Sequence, residues 1–557
     1  MRIRSAVIRF AIPAVALGLL VSGCSADEGT GGTAEIGTTA AINPHPVEDL
    51  QDGGNLRLEV SSFPSTFNYL HIDGGDSDTS AIIAPTMPSN FTSNAAGELT
   101  VDHNFYTDIQ LTGTSPQQVT FTLNPKAVWS DGSPITWEDL RSQWQALNGS
   151  NPEYLINYSS GFDRVAKVER GVDDRQAIVT FDKPYSEWKQ LYGILYPKQI
   201  TGTPEAFENA ARNDAPLSAG PFMITNIDRT ANRITLSRNP KWWGDTPKLD
   251  TITFSVLANE ALLPAIQNNE IDYAYMSGLE NVTGAKNSAG VEIRRAAEPS
   301  WSHITFNGAP SSLLEDVKLR QAIAKAIDRQ AIVENSQYGI VDNPKPLNNH
   351  IFMAGQKGYQ DNSAPIAFDP DADARMLDEL GWVLPPGGDV REKDGRKLEL
   401  RNVMYQQDRW VDTAKIVQQN LQKVGVKMNI QTVPGTGLFP QVIDPGNFEL
   451  AQFSWVGSTL PIGALPQIYA YDPENLQGNK ARIGSAELNA LIDHTISELD
   501  PEKAIELANQ CDKMIFEEIY SLPLQQASGT YAARINLANW GAFGLSSPDY
   551  TKVGFLK

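Results

Sequence analysis

Two cysteines among 557 residues, Cys24 and Cys511, leave no disulfide framework to build. Six histidines, at 45, 71, 103, 303, 350 and 494, show no HxH or HxxxH spacing, so no preformed metal site is indicated. Positive charge is scarce: 45 Lys and Arg stand against 66 Asp and Glu, a formal net charge of -21, and no basic run follows the N-terminus. A phosphate backbone needs clustered cations, so a nucleic-acid partner is excluded, and the acidity reads as solvated surface. No apolar stretch after Val21 is long enough to cross a bilayer, which excludes a polytopic membrane protein. Catalytic signatures are also lacking: there is no Gly-x-Ser-x-Gly elbow, HExxH, Walker loop or GxGxxG after a strand. Ser186-Glu-Trp-Lys189 fits Ser-x-x-Lys, but no Lys-Thr-Gly follows. Asp369-Pro-Asp371-Ala-Asp373 begins like a calcium loop, yet Ala374 stands where glycine is needed and Leu380 where a bidentate glutamate is needed. The chain is expected to be no enzyme, with no cofactor and no metal.

What is present is a folded, loop-rich composition, 41% hydrophobic and 9% aromatic with 43 Gly and 35 Pro. The length exceeds the roughly 250 to 300 residues at which single cores stop growing, so at least two lobes are expected. At the N-terminus, Arg2, Arg4 and Arg9 precede an apolar stretch from Phe10 to Val21 that ends in small residues, the pattern of a secretory signal over 1–23. The Gly/Thr/Ala-rich segment that follows reads as a flexible spacer over 24–53. Cys511 falls at a buried position of the helical repeat in PEKAIELANQCDKMIFEEIY and reads as a small hydrophobe.

Strands and helices interleave through the body. Alternation marks strands at Leu56, Leu58 and Val60 and at Val119, Phe121 and Leu123, with further strands in RITLSR and LDTITFSVLA. Helical spacing marks SLLEDVKLRQAIAKAIDRQAIVEN as one helix, TAKIVQQNLQKVGV as another closed by Gly425, and DPDADARMLDELGW as a third with acids at its start and Gly381 at its end. In AVWSDGSPITWEDL, Asp131-Gly132 supplies a turn, and Thr136 with Asp139 opens a helix as a capping box does. That conspicuous stretch is scaffolding.

The same stretch resembles the "kWsDGsPlTaeDv" pattern of the extracellular solute-binding proteins of the peptide/nickel type. In order along the chain come GPFMITN (Gly220 to Asn226), RNPKWWGDTPKLDTITF (Arg238 to Phe254), NNEIDYAY (Asn268 to Tyr275), DVKLRQAIAKAIDRQAI (Asp316 to Ile332), FDPDADARMLDELGW (Phe368 to Trp382) and VQQNLQKVGVKMNIQ (Val417 to Gln431), each similar to a family segment. Val21-Ser22-Gly23-Cys24 likewise resembles a lipobox, which implies lipidation of Cys24 and a tether to the outer face of the cytoplasmic membrane, in the cell envelope on the periplasmic side. The resemblance implies an α/β, periplasmic-binding-protein-like fold of two hinged lobes plus an extra domain, capturing oligopeptides and handing them to an ABC permease. Lobe I is expected at 54–88, 219–300 and 525–557, the extra domain at 89–218 and lobe II at 301–524. Crossovers near Glu298 and Ala527 would form the hinge. A monomer is the family expectation.

Family peptides lie extended between the lobes, bonded through their backbone like an added strand. By that resemblance Ser62, Phe63 and Ser65 are expected to line the cleft from lobe I. From lobe II, FELAQFSWVGSTLPIG offers Trp455 at the aromatic position. Gly457, Ser458 and Thr459 stand where many oligopeptide binders place an aspartate for the peptide's ammonium group. Forgoing that pair means forgoing a charge-assisted bond of roughly 1.5 to 3 kcal/mol. Ser458 and Thr459 read either as donors to a neutral group or as turn residues before Pro461. Alternation turns Trp301, His303 and Thr305 to one face, so Trp301 and His303 are cleft candidates, with Tyr405 placed similarly. The alternatives are a non-peptide solute, such as a chelated metal, a glycan or a lipid-linked sugar, and a non-transport regulatory protein of the envelope.

Overall fold

The computed structural model describes residues 39–434 and 437–557. The expected signal segment and Cys24 lie outside the described residues. Among the described residues no helix is long and apolar enough to cross a membrane.

Four larger sheets organise the described residues. Asn55–Val60, Thr251–Val256, Arg233–Arg238 and Phe222–Asp228 form the first, parallel at its first pair and antiparallel thereafter. Tyr106–Thr114, Gln117–Leu123, Gln176–Phe181 and Val165–Arg170 form an antiparallel second. A short third sheet orders Tyr273–Tyr275, Thr530–Arg534 and Val291–Arg295. The fourth orders Lys427–Val433, Glu399–Tyr405, Leu450–Val456, Ser300–Phe306 and Ser521–Gln526. The chain passes between the third and fourth sheets twice, at 296–299 and 527–529. These strips bond to each other: Glu298 N–H donates to Ala527 at 3.0 Å, and Ala296 N–H to Gly529 at 3.2 Å.

Apolar side chains sort into separate cores. Leu56, Phe254, Phe121, Trp129 and Tyr185 belong to one cluster, so the first two sheets share a core and the 89–218 segment is fused to the first sheet. The fourth sheet carries its own core on one face, with Ile304, Leu400, Val417 and Leu522. Ile462, Ile492, Ile496 and Cys511 pack apart from both. Burial raises the Cys511 thiol to about 11, as a structural cysteine requires.

Two expectations need correction. The 24–53 segment is not a spacer throughout: Ala41 bridges Ala542, Leu50 bridges Leu556, and Leu50 is 1% exposed. Backbone pairing with the C-terminal strip draws this stretch into the body. The long helix expected over 312–335 is two helices, Val317–Lys325 and Arg329–Ser336. Asp328 divides them, because its carboxylate accepts the N–H of Ala331 and starts a new helix. At Thr136, the backbone N–H donates to Asp139 at 2.8 Å, as a capping box does.

Candidate functional site

The strand Leu450–Val456 has two unequal edges. One pairs along its length with Ser300–Phe306, from Phe306 opposite Leu450 to Ser300 opposite Val456. The other meets Glu399–Tyr405 only at Leu450 and Ala451, after which the strands diverge. From Gln452 to Val456 this second edge has no strand partner among the described residues, and Val456 is 85% exposed. An unpaired edge is a row of free amides and carbonyls, ready for an added strand.

Because side chains alternate, this end of the sheet presents two faces. Trp301 and Trp455 are opposite one another, as are Ser302 and Ser454 on the reverse side. A cavity of about 450 Å³ opens beside the tryptophans, walled also by Tyr69, Tyr158, His350 and Gln190. Among the described residues, none that lines it is an Asp, Glu, Lys or Arg. A smaller cavity of about 100 Å³ adjoins Ser300, Ser302 and Ser454, with Tyr275, Trp410 and Arg409 around it. Two buried polar atoms of its walls, Trp410 Nε1 and Gln337 Oε1, have no protein partner among the described residues. The Arg409 guanidinium lies 4.9 Å from the Trp410 ring, a cation–π contact at the wall of this cavity.

The expected site residues divide. Trp301, Trp455, Gly457 and Ser458 line the large cavity, and Trp301 borders the small one too. Ser458 Oγ donates to the Leu460 carbonyl at 2.8 Å and accepts its N–H at 3.1 Å, so its hydroxyl is spent on a turn. Gly457 donates its N–H to Pro299 at 2.6 Å, and a Cβ there would collide with that carbonyl, so the glycine is required by packing. Thr459 lines neither cavity.

His303 is corrected. It shares the face of Trp301 as alternation requires, but it is 0% exposed, wedged 4.3 Å from the Phe453 ring and 4.8 Å from that of Trp301. Burial holds its imidazole well below the ordinary range, so it is a neutral core residue. Tyr405 packs toward Phe439 and lines neither cavity. Ser62, Phe63 and Ser65 border neither as well: Ser62 donates its N–H and hydroxyl to Asp78 at 2.8 and 2.9 Å, and Phe63 lies 4.6 Å under the Arg229 guanidinium.

Sequence reasoning did not single out Tyr69, Tyr158, His350, Arg409 or Trp410. The first three carry no local pattern, whereas Arg409-Trp410, in the first turn of the helix Asp408–Lys423 that follows the strand ending at Tyr405, offers a readable signal: a cation beside an indole just after a strand. Among the described residues no carboxylate lines the large cavity in place of the missing acid.

His71, Asp73 and Glu208 have the composition of a metal site. His71 Nδ1 accepts the Asp73 N–H at 3.0 Å and Nε2 lies 2.6 Å from Glu208, so both nitrogens are engaged. Arg212 also bridges Asp73 and Glu208. The group is an ion-pair tie: hydrogen bonds from His71 and Arg212 hold the Glu208 carboxyl low.

Residues 113–475 match the description "Bacterial extracellular solute-binding proteins, family 5 Middle". The chain is 50% identical over 527 residues to the oligopeptide-binding protein OppA of Mycobacterium tuberculosis, covering 94% of this chain and 88% of that relative. Among solved structures, the periplasmic EDTA-binding protein EppA superposes with a TM-score of 0.86 at 23% identity, covering 94% of this chain and 99% of the other. AppA from Bacillus subtilis, in complex with a nonapeptide, gives 0.77 at 21% identity, covering 91% and 100%. The match over most of the chain, the four-sheet α/β architecture and the open strand edge between two cavities lead to one conclusion: the chain belongs to the family 5 extracellular solute-binding proteins, whose work is binding and not catalysis.

Proposed function

We propose that the protein captures oligopeptides as the substrate-binding component of an ABC importer and delivers them to its permease. The observation that carries this reading is the open edge of Leu450–Val456 between two unlike cavities. A peptide laid along 452–456 gains main-chain hydrogen bonds whatever its sequence, while the cavities receive alternate side chains or its termini. Two lobes would enclose it: one at 41–88, 219–300 and 525–557 with 89–218 fused to it, the other at 301–524. Closure turns about the strips at 296–299 and 527–529. Arg409 would draw the peptide's carboxylate toward the small cavity, where the Trp410 and serine donors also face. The neutral large cavity would hold residues toward the amino end by shape and hydration. Trp301 and Trp455 are proposed as ligand contacts, and Cys24 as the lipid tether that keeps a monomer at the outer face of the membrane.

The lining of the large cavity, without Asp, Glu, Lys or Arg among the described residues, favours one second reading, a non-peptide solute such as a chelate or a glycan. Mass spectrometry of whatever copurifies with the protein decides between them. A mixture of peptides in a narrow length range is the expected result; a single non-peptidic species would overturn the peptide reading.

A further inference from the structure

The segment from Leu460 to Leu465 walls the large cavity, and it is gripped from across the cleft by Glu187, which does not line that cavity, and by Gln190, which does. Glu187, in the 89–218 segment, accepts the N–H of Ile462 at 2.9 Å and of Gly463 at 2.5 Å, and the Nε2–H of Gln190 at 2.7 Å. Gln190 also donates to the Leu460 carbonyl. Beside them the Ser186 N–H donates to Ile496 at 2.8 Å. Arg164 pairs with Asp493 and donates to Ser497 Oγ at 3.0 Å. A side chain at Gly463 would collide with the Tyr185 hydroxyl and crowd Glu187, so the fit depends on that glycine.

These contacts join bodies with separate cores. Phe162, Val165, Tyr185 and Leu191 pack with Leu56 and Phe254 of the first sheet. Ile462, Leu465, Ile492 and Ile496 pack with Cys511 and Ile515. Glu187 is 6% exposed; burial raises its carboxyl to about 7 while the Gly463 and Ile462 amides pull it down. A carboxylate in such surroundings, with no cation on it, depends on its donors, and two of its three come from the opposite body.

We infer that Glu187 is a closure latch, a positioning residue that docks on the Ile462 and Gly463 amides as the lobes meet and sets how much of the protein is closed. The inference rests on the two-lobe reading above. Because the latched segment also walls the cavity, latching and enclosure are one event, and the latch scales affinity for all ligands by a common factor without choosing among them.

Hydrogen exchange over 460–465, on the full chain at about pH 8.5 where the carboxylate is ionised, tests it together with small-angle scattering of ligand-stripped and ligand-replete protein. Glu187→Ala is expected to speed exchange at Ile462 and Gly463 by about 10- to 100-fold, and Glu187→Gln, which keeps the volume, to speed it as well. Gly463→Ala should do the same from the opposite side, and the double variant should exceed neither single one. Unchanged exchange in any of the single variants, or fully additive effects, would overturn the latch. Wild-type scattering that ignores ligand would instead overturn lobe closure itself, a failure distinguishable from closure that persists without Glu187.

Discussion

The two cavities beside the Leu450–Val456 strand are a few residues apart and built on opposite principles. The large one, about 450 Å³, is walled by tryptophan, tyrosine, amide and backbone, with no Asp, Glu, Lys or Arg among the described residues. The small one, about 100 Å³, collects three serines from the strand pair with Arg409 and an unpartnered indole N–H. A neutral aromatic cavity gains from burying whatever apolar surface arrives and makes few demands on its chemistry. A compact cavity with a cation at its wall prefers an anion. On the proposed function, side by side they would divide the labour of a tolerant binder: one end would orient and the other accommodate.

Substitutions on each side can break this division. Trp455→Ala removes aromatic surface from the large cavity and should weaken peptide binding by about 10- to 100-fold by calorimetry, the equivalent of about 1.5–3 kcal/mol, with the protein still folded. Arg409→Ala should cost about 10-fold for peptides with a free C-terminal carboxylate and leave C-amidated peptides nearly unchanged, since an exposed cation keeps only part of a charged hydrogen bond's strength. Equal losses for both peptide forms would remove Arg409 from the orienting role. Ser458→Asp puts a carboxylate at the edge of the neutral cavity. It should strengthen binding of free-amine peptides a few-fold over N-acetylated ones in competition titrations, the smallest of the three effects because the position is exposed.

Local patterns in the sequence were read well where local physics decides. Gly425 and Gly381 do follow their helices with φ of +79° and +83°, and Asp369 does cap the helix Pro370–Glu379. The long helix over 312–335 misled because its apolar spacing continues through Asp328, while the capping power of that aspartate breaks the helix in two. Alternation placed Trp301 and His303 on one face, which they share, but a face is not a cavity: Phe453 and the flanking tryptophans cover His303 and leave Trp301 at the edge.

By itself the sequence determined the class of protein, through seven ordered segments, and the interleaving of its strands and helices. It also determined that Gly457, Ser458 and Thr459 carry no acid. Tertiary structure decided what that absence means. Tyr69, Tyr158 and His350 come from three distant parts of the chain to wall the cavity where an acid was expected, and a turn uses up the Ser458 hydroxyl there. It alone decided that Glu187 meets the Ile462 and Gly463 amides across 275 and 276 residues of chain, because hydrogen bonds depend on distance in space and no periodicity records them.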